Sequence, residues 1–191
     1  MILHSVLSEL DAVLAESGAL MGLYKAKDMA FFTKSQTWLE KLETLATANR
    51  WPLQASIAGL RGQLVTASRI QREDSFNWMP KSKNSRRVRE ALAAECIKAA
   101  IELTENFVAQ DRAKHAEAVN LLRQIVAVAI FKGIVEPKPT NGRRQSISES
   151  WSAVASDPEL ASASVNVVGL VGAYNTFMLF DKSFNEVLID G

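Results

Sequence analysis

Cysteine occurs once in this 191-residue chain, at Cys96, and histidine only twice, at His4 and His115. A single cysteine excludes an internal disulfide framework, and one thiol with two imidazoles falls short of a structural zinc site. A chain with no disulfide framework is expected in a reducing compartment, here the cytoplasm. Phosphate-binding glycine loops, nucleophile elbows and paired metal-binding carboxylates are missing as well, which removes the common signatures of hydrolases and nucleotide enzymes. No cofactor and no enzymatic activity are therefore expected. The opening MILHSVLSELDAV has no basic stretch and meets Glu9 and Asp11 early, unlike a secretory leader. Strand-type alternation, fixed-period repeats and low-complexity tracts are also lacking.

What the sequence does hold is helical periodicity on ample apolar material: 48% of residues are hydrophobic and 23% charged. That composition supports a packed core and argues against disorder. Leu3, Leu7, Leu10 and Leu14 form a two-heptad stripe, with Val6 and Val13 beside it. Thr33-x-x-Gln36 has the form of a capping box and predicts a helix start there. The helix that follows carries Trp38, Leu39, Leu42, Leu45 and Ala46 on one side. Asn49-Arg50-Trp51-Pro52 punctuates the chain, with Pro52 suited to a first helical turn. Leu53, Ile57, Leu60, Leu64 and Ala67 then mark a third stripe. Ala55, Gly59 and Gly62 give that helix a small-residue face, where a neighbouring helix is expected to approach closely.

The later half repeats the pattern. Val88, Leu92, Cys96, Ala99, Leu103 and Phe107 define one apolar face and Ile97, Ile101 and Val108 another, so this helix should touch more than one neighbour. Cys96 on such a stripe reads as a buried, inert thiol. Asp157-Pro158 resembles an N-cap and N1 proline opening a C-terminal helix, and Ser146-x-x-Glu149 a capping box just before it. Leu160 to Phe180 has no charged residue over 21 positions, long enough to cross a bilayer. Its Ser162, Ser164, Asn166, Asn175 and Thr176 favour a helix in the protein core over a membrane span. Gly169 and Gly172 are expected to admit close helix packing.

Net charge is only +1, but it is unevenly spread. Residues 61–89 contain eight cationic against two acidic side chains, a net +6, and residues 132–144 four against one, a net +3. From residue 145 onward six acids face only Lys182, a net −5. Two basic linkers, 73–84 and 136–145, therefore join helical blocks 1–72, 85–135 and 146–189. The stretch NWMPKSKNSRRVRE, residues 77–90, is the nearest thing to a functional signature.

Whether the basic linkers act together depends on the segment between them. One unbroken helix over 85–134 would separate them by roughly 75 Å at 1.5 Å per residue. A turn near Gln110 to Lys114 would form an antiparallel hairpin and bring them to one end. The hairpin is the expectation, because a helix that long is rare outside coiled coils. Converged, Lys81, Lys83, Arg86, Arg87, Arg89, Lys138, Arg143 and Arg144 would make a patch for a phosphate backbone, with Trp78 stacking on a base. Otherwise they are a solvated joint, or are paired internally with the acidic C-terminal block. Arginines in a first helical turn oppose the helix dipole, so some anion should compensate them.

Other candidates are thinner. Asp111 and His115 stand four apart and share a helix face, but without a third ligand they read as an ion pair. Tyr174, Phe177, Met178 and Phe180 could line an apolar ligand cavity. No short helix pair around Gly18 or Gly22 makes a helix–turn–helix.

The sequence thus predicts an all-α fold, a single domain over 1–191 built as a mostly antiparallel bundle of six to eight helices, with the apolar C-terminal helix in its core. The expected role is a non-enzymatic interaction protein in a larger intracellular assembly, with a protein partner or self-association and no membrane. The first alternative is nucleic-acid binding through residues 81–89 and 138–144. A small-molecule-binding regulator is the second.

Overall fold

The computed structural model describes residues 1–74, 83–135 and 147–189, with side chains for all of these except 69–74, 83–85 and 187–189. The described chain is all-helical and contains six helices: α1 (His4–Lys25), α2 (Phe31–Ala48), α3 (Gln54–Asp74), α4 (Lys83–Phe131), α5 (Ile147–Ser156) and α6 (Ala161–Ile189). It divides into two compact units. One comprises Met1–Leu7 with Ala109–Gly191, the other Ser8–Val108.

Helix ends follow local chemistry. At the end of α1 the Asp28 N–H donates to the Leu23 carbonyl and the Lys27 N–H to that of Tyr24. This is a Schellman closure with Lys27 in the left-handed position, at φ 56°,. Arg50 (φ 54°) ends α2 and Gly133 (φ 69°) ends α4 in the same way. Thr33 does not cap α2. The helix begins two residues earlier, behind an Asp28 carboxylate that accepts the Ala30 N–H at 2.7 Å, and Thr33 sits inside it. Asp157 does act as expected, accepting the N–H groups of Glu159 (3.0 Å) and Leu160 (3.2 Å) ahead of α6,. Ser146 lies outside the described residues.

The Ser8–Val108 unit buries most of the stripe residues of α1 to α3. On α4 Cys96, Ile97 and Val108 are buried but Val88 is 65% and Leu103 39% exposed, so the face predicted there is only partly covered. Leu10, Trp38, Leu39, Leu42, Ala46, Ile57 and Leu64 are almost wholly removed from solvent, and burial of this kind stabilises by about 25 cal/mol per Å² of apolar surface. Trp38 also donates its indole N–H to the Val13 carbonyl at 2.7 Å, tying α2 to α1. Trp51 packs on Phe107 at 5.4 Å between ring centroids. The close approach expected at Gly59 and Gly62 does not occur: no described atom lies within 4 Å of a Cβ built at either, and both face solvent.

The hairpin within residues 85–134 is not made. Helix α4 runs unbroken from Lys83 to Phe131, because Gln110 to Glu117 has no glycine or proline and stays in helical phase. Convergence of the basic linkers rested on that turn.

In the other unit Ala118, Leu122, Ile125, Val126 and Ala129 of α4 pack with Trp151 and Val154 of α5 and with Val167, Val171, Leu179 and Phe180 of α6. Trp151 meets Phe180 edge-on at 5.2 Å. Helix α6 is long and apolar enough to cross a membrane by length and composition alone, yet one face of it lies in this core. It is also broken. Gly172 has φ 76° and ψ 159° inside the helix, a conformation essentially restricted to glycine. The Met1 side chain occupies the space where a Cβ would stand, its Cε only 2.6 Å away. Just beyond the break, Asn175 is 1% exposed. Its Oδ1 accepts the His4 N–H at 2.9 Å, and its Nδ2 donates to the carbonyls of Ile2 (3.2 Å) and Val171 (2.9 Å). The expected close packing at these glycines is thus realised at Gly172 alone, and by a side chain rather than a helix.

Two outcomes follow from this geometry. Gly172→Ala should lower stability by about 1–3 kcal/mol through backbone strain, checked by urea unfolding; an unchanged midpoint would refute the assigned break. The second concerns Lys132, whose ammonium lies 2.6 Å from Asp157 and 3.2 Å from Glu159. The Lys132 ammonium holds the Asp157 carboxyl below its ordinary value, against partial desolvation that pulls the other way. A carboxyl depressed in the folded state adds stability above its unfolded value of about 3.9 and loses it as pH falls through the folded value. Asp157→Asn should therefore flatten the acid side of the melting-temperature profile below about pH 4, while leaving less stability at neutral pH.

Candidate functional site

The predicted basic patch is only partly within the described residues. Trp78, Lys81, Lys138, Arg143 and Arg144 lie outside them, as does the side chain of Lys83. Arg86, Arg87 and Arg89 are described, in the second turn of α4, where successive residues point about 100° apart and so fan around the helix.

Arg86 is engaged within its own unit. Its Nε donates to Glu90 at 2.6 Å and a terminal nitrogen donates to the Lys27 carbonyl at 2.7 Å. That carbonyl belongs to the closing turn of α1, so the guanidinium sits at the negative end of that helix. The partners that compensate Arg86 near the start of α4 are Glu90 and the carbonyl end of α1. Among the acids of the C-terminal block, Asp157 and Glu159 pair with Lys132, and Glu186 with Arg123 at 2.8 Å. The Arg123 guanidinium lowers the Glu186 carboxyl.

Arg89 lies over the Phe32 ring at 5.1 Å, a cation–π contact,. Its Nε is buried and has no hydrogen-bond acceptor. With Arg86 it lines a shallow cleft of about 180 Å³ that also includes Met29, Phe32, Thr33 and Glu90. Arg87 is exposed. Of the three arginines, one is spent on structure, one is half-buried on an aromatic ring, and one faces solvent.

The other sequence candidates take structural roles. His115 is 7% exposed, so it is not one half of a surface ion pair. Its Nδ1 meets the backbone carbonyl of Asp111 at 2.9 Å instead of the carboxylate, and its ring stacks on His4 at 6.0 Å. The hydrogen bond makes Nδ1 the donor and leaves Nε2 as a buried nitrogen without a partner,. Among the described residues no three His, Cys, Asp or Glu side chains gather in a way that would hold a metal. Cys96 is 2% exposed, and burial, with a smaller contribution from Glu95, pushes its thiol above its ordinary value. A thiol so placed carries little nucleophilic thiolate.

The feature that sequence reading missed is the outer face of α6. Val165 is 72% exposed, Tyr174 62%, Met178 47% and Phe177 38%. Ser162, Asn166, Gly169 and Ala173 are exposed on the same helix, and no charged residue falls between Leu160 and Phe180. Tyr174 and Met178 therefore present themselves to solvent rather than lining a closed cavity, while Phe180 packs against Trp151 and Phe184. The signal available beforehand was weak: an apolar run reads alike whether one face or the whole circumference is buried. Compared with known proteins, the chain matches no family model, no curated protein and no solved structure.

Proposed function

We propose that this chain is a non-enzymatic interaction protein, a component of a larger intracellular, cytoplasmic assembly, and that the outer face of α6 is where it docks. The observation that carries the reading is a set of three large apolar side chains, Tyr174, Phe177 and Met178, at 38–62% exposure in the charge-free stretch of α6 after its break, with Val165 72% exposed before it. Single exposed apolar residues are ordinary, whereas a contiguous set without charge is characteristic of interaction surfaces. A fully packed, mostly antiparallel bundle behind it would supply the rigid support that a docking helix needs. The non-enzymatic part is supported by how reactive side chains are used. His115 is anchored to a backbone carbonyl, the Cys96 thiol is buried and raised, and Asp157 is committed to Lys132 and the start of α6.

A photo-cross-linking residue placed at position 174 tests this inside cells, with position 50 as control, since Arg50 is exposed at the end of α2. The expected result is a covalent protein adduct at 174 and little at 50. Equal or absent adducts at both positions would remove the reading.

Nucleic-acid binding through α4 is the second reading, favoured by Arg89, whose buried Nε has no acceptor. It predicts that single-stranded or duplex oligonucleotides raise fluorescence anisotropy, with affinity falling steeply in salt. Arg87→Ala with Arg89→Ala should weaken binding by about tenfold or more; no signal at low salt rejects this reading.

A further inference from the structure

Arg89 is the cation that the Ser8–Val108 unit leaves unanswered. Among the described residues none accepts a hydrogen bond from its guanidinium or pairs with its charge. We infer that the cleft lined by Arg86, Arg89 and the first turn of α2 binds a single phosphoryl group, carried by a small soluble phosphate monoester. The site lies wholly within that unit, and the inference does not depend on the α6 docking face. It shares Arg89 with the nucleic-acid reading and assigns that arginine a different ligand.

The guanidinium lies over the Phe32 ring, 5.1 Å from its centroid. Stacking occupies the flat face and fixes the plane, which leaves the donors on its edge for an oxyanion. A fork held this way loses little freedom when it closes on two oxygens of one anion. Its terminal nitrogens, unlike Nε, are not among the buried atoms without partners, so they are the donors a ligand can reach.

Three neighbours suit the same ligand. Arg86, three residues before Arg89, shares its side of α4 and is held in place by Glu90 and the Lys27 carbonyl. Thr33 lines the cleft with a hydroxyl that donates to no described group. The third is the start of α2, an 18-residue helix whose N-cap is Ala30, with no side-chain cap. Asp28 takes the Ala30 N–H. The N–H groups of Phe32 and Thr33 have no acceptor among the described residues, so the positive end of this helix stays open beside the cleft. Glu90 is the acid in the lining, and Arg86 offsets it at 2.6 Å. Two cations against one acid leave the lining attractive to an anion.

Size and charge select the ligand. At about 180 Å³ the cleft falls below the roughly 300–1,000 Å³ of pockets that enclose drug-sized molecules. It admits one phosphoryl group and a short carbon chain, and Met29, 80% exposed, offers that chain an apolar contact. A monoester carries a charge of about −1.5 to −2 at pH 7 and three free oxygens. A backbone phosphodiester has a single charge and two free oxygens, and so satisfies fewer of these donors.

Nitrogen–proton NMR of the full chain tests this by titration with inorganic phosphate and with glycerol phosphate at constant ionic strength. The Arg89 Nε–H, shielded from water, serves as a local reporter. Saturable shifts are expected there and at the Phe32 and Thr33 amides. Arg89→Gln should weaken binding about tenfold or more, and Arg89→Lys, which keeps the charge but not the fork, several-fold. Thr33→Val should weaken it about threefold. Lys98→Ala, which removes an equal charge from an exposed position farther along α4, should leave the affinity unchanged. Circular dichroism checks the helicity of each variant; if Arg89→Gln fails to fold, Arg89→Lys and Thr33→Val decide. Absence of saturation up to about 10 mM of either probe overturns the inference. So do equal losses in Lys98→Ala and Arg89→Gln, or the same shifts from sodium chloride. Tighter binding of an unphosphorylated oligonucleotide at these resonances would overturn it in favour of the nucleic-acid reading. Capture by phosphatidic acid vesicles, without any shift from the soluble probes, would overturn it in favour of a lipid headgroup.

Discussion

The Asn175 amide ties α6 to the N-terminal segment, two stretches remote in sequence. It accepts the first helical N–H of α1 from His4, donates to the Ile2 carbonyl that precedes it, and donates to Val171 on the near side of the α6 break. An amide with 1% exposure that uses both of its donor hydrogens and its acceptor is strongly position-specific, because each lost bond would leave a buried polar group unsatisfied. The arrangement needs Gly172. Without a glycine-only conformation at that point α6 would continue in phase, and Met1 would have no recess in which to lie. Thr176 completes the joint by donating to the Gly172 carbonyl at 2.8 Å. A helical break therefore serves as a receptor for the N-terminal segment, with polar side chains satisfying the carbonyls around it.

Charge is handled by local pairing. Lys41 with Glu16, Arg61 with Glu43, and Arg86 with Glu90 all fall in the Ser8–Val108 unit. Arg123 with Glu186, and Lys132 with Asp157 and Glu159, fall in the other. Solvent-exposed pairs of this kind contribute little to stability. All of these pairs join residues of the same unit. The uncharged outer face of α6 stands apart from this pattern, which is why it carries the functional proposal. Arg86 illustrates the same economy, since one guanidinium offsets its own helix dipole problem while closing the end of α1.

Much of the fold was legible. The stripes at Leu7, Leu10 and Leu14, at Trp38 to Ala46, and at Leu53 to Leu64 identify helices and their inward faces, because side chains on a helix are placed by a short-range repeat. Asp157-Pro158 announced its turn through chemistry confined to four residues. Legibility ended where local signals are permissive. Thr33-x-x-Gln36 fits a capping box, yet Asp28 two residues before Ala30 captured the helix start first. Glycine at 59, 62, 169 and 172 is compatible with close packing, open solvent or a break, and the surroundings chose differently among them. His115 and Asp111 share a face, as their spacing requires, but the ring bonded to a carbonyl and stacked on His4.

The sequence by itself determined that this protein is helical and, from Leu7 to Leu64, which residues supply the inward stripes. Those properties depend on neighbours within a turn or two of helix. Only the tertiary structure decided that Gly172 breaks α6, that Arg86 is spent on the Lys27 carbonyl, and that Tyr174 and Val165 face outward. These depend on partners 59 to 173 positions away, and on which side of an apolar helix finds something to cover it. No local pattern encodes that choice, because the free energy that makes it comes from long-range burial and hydrogen bonding.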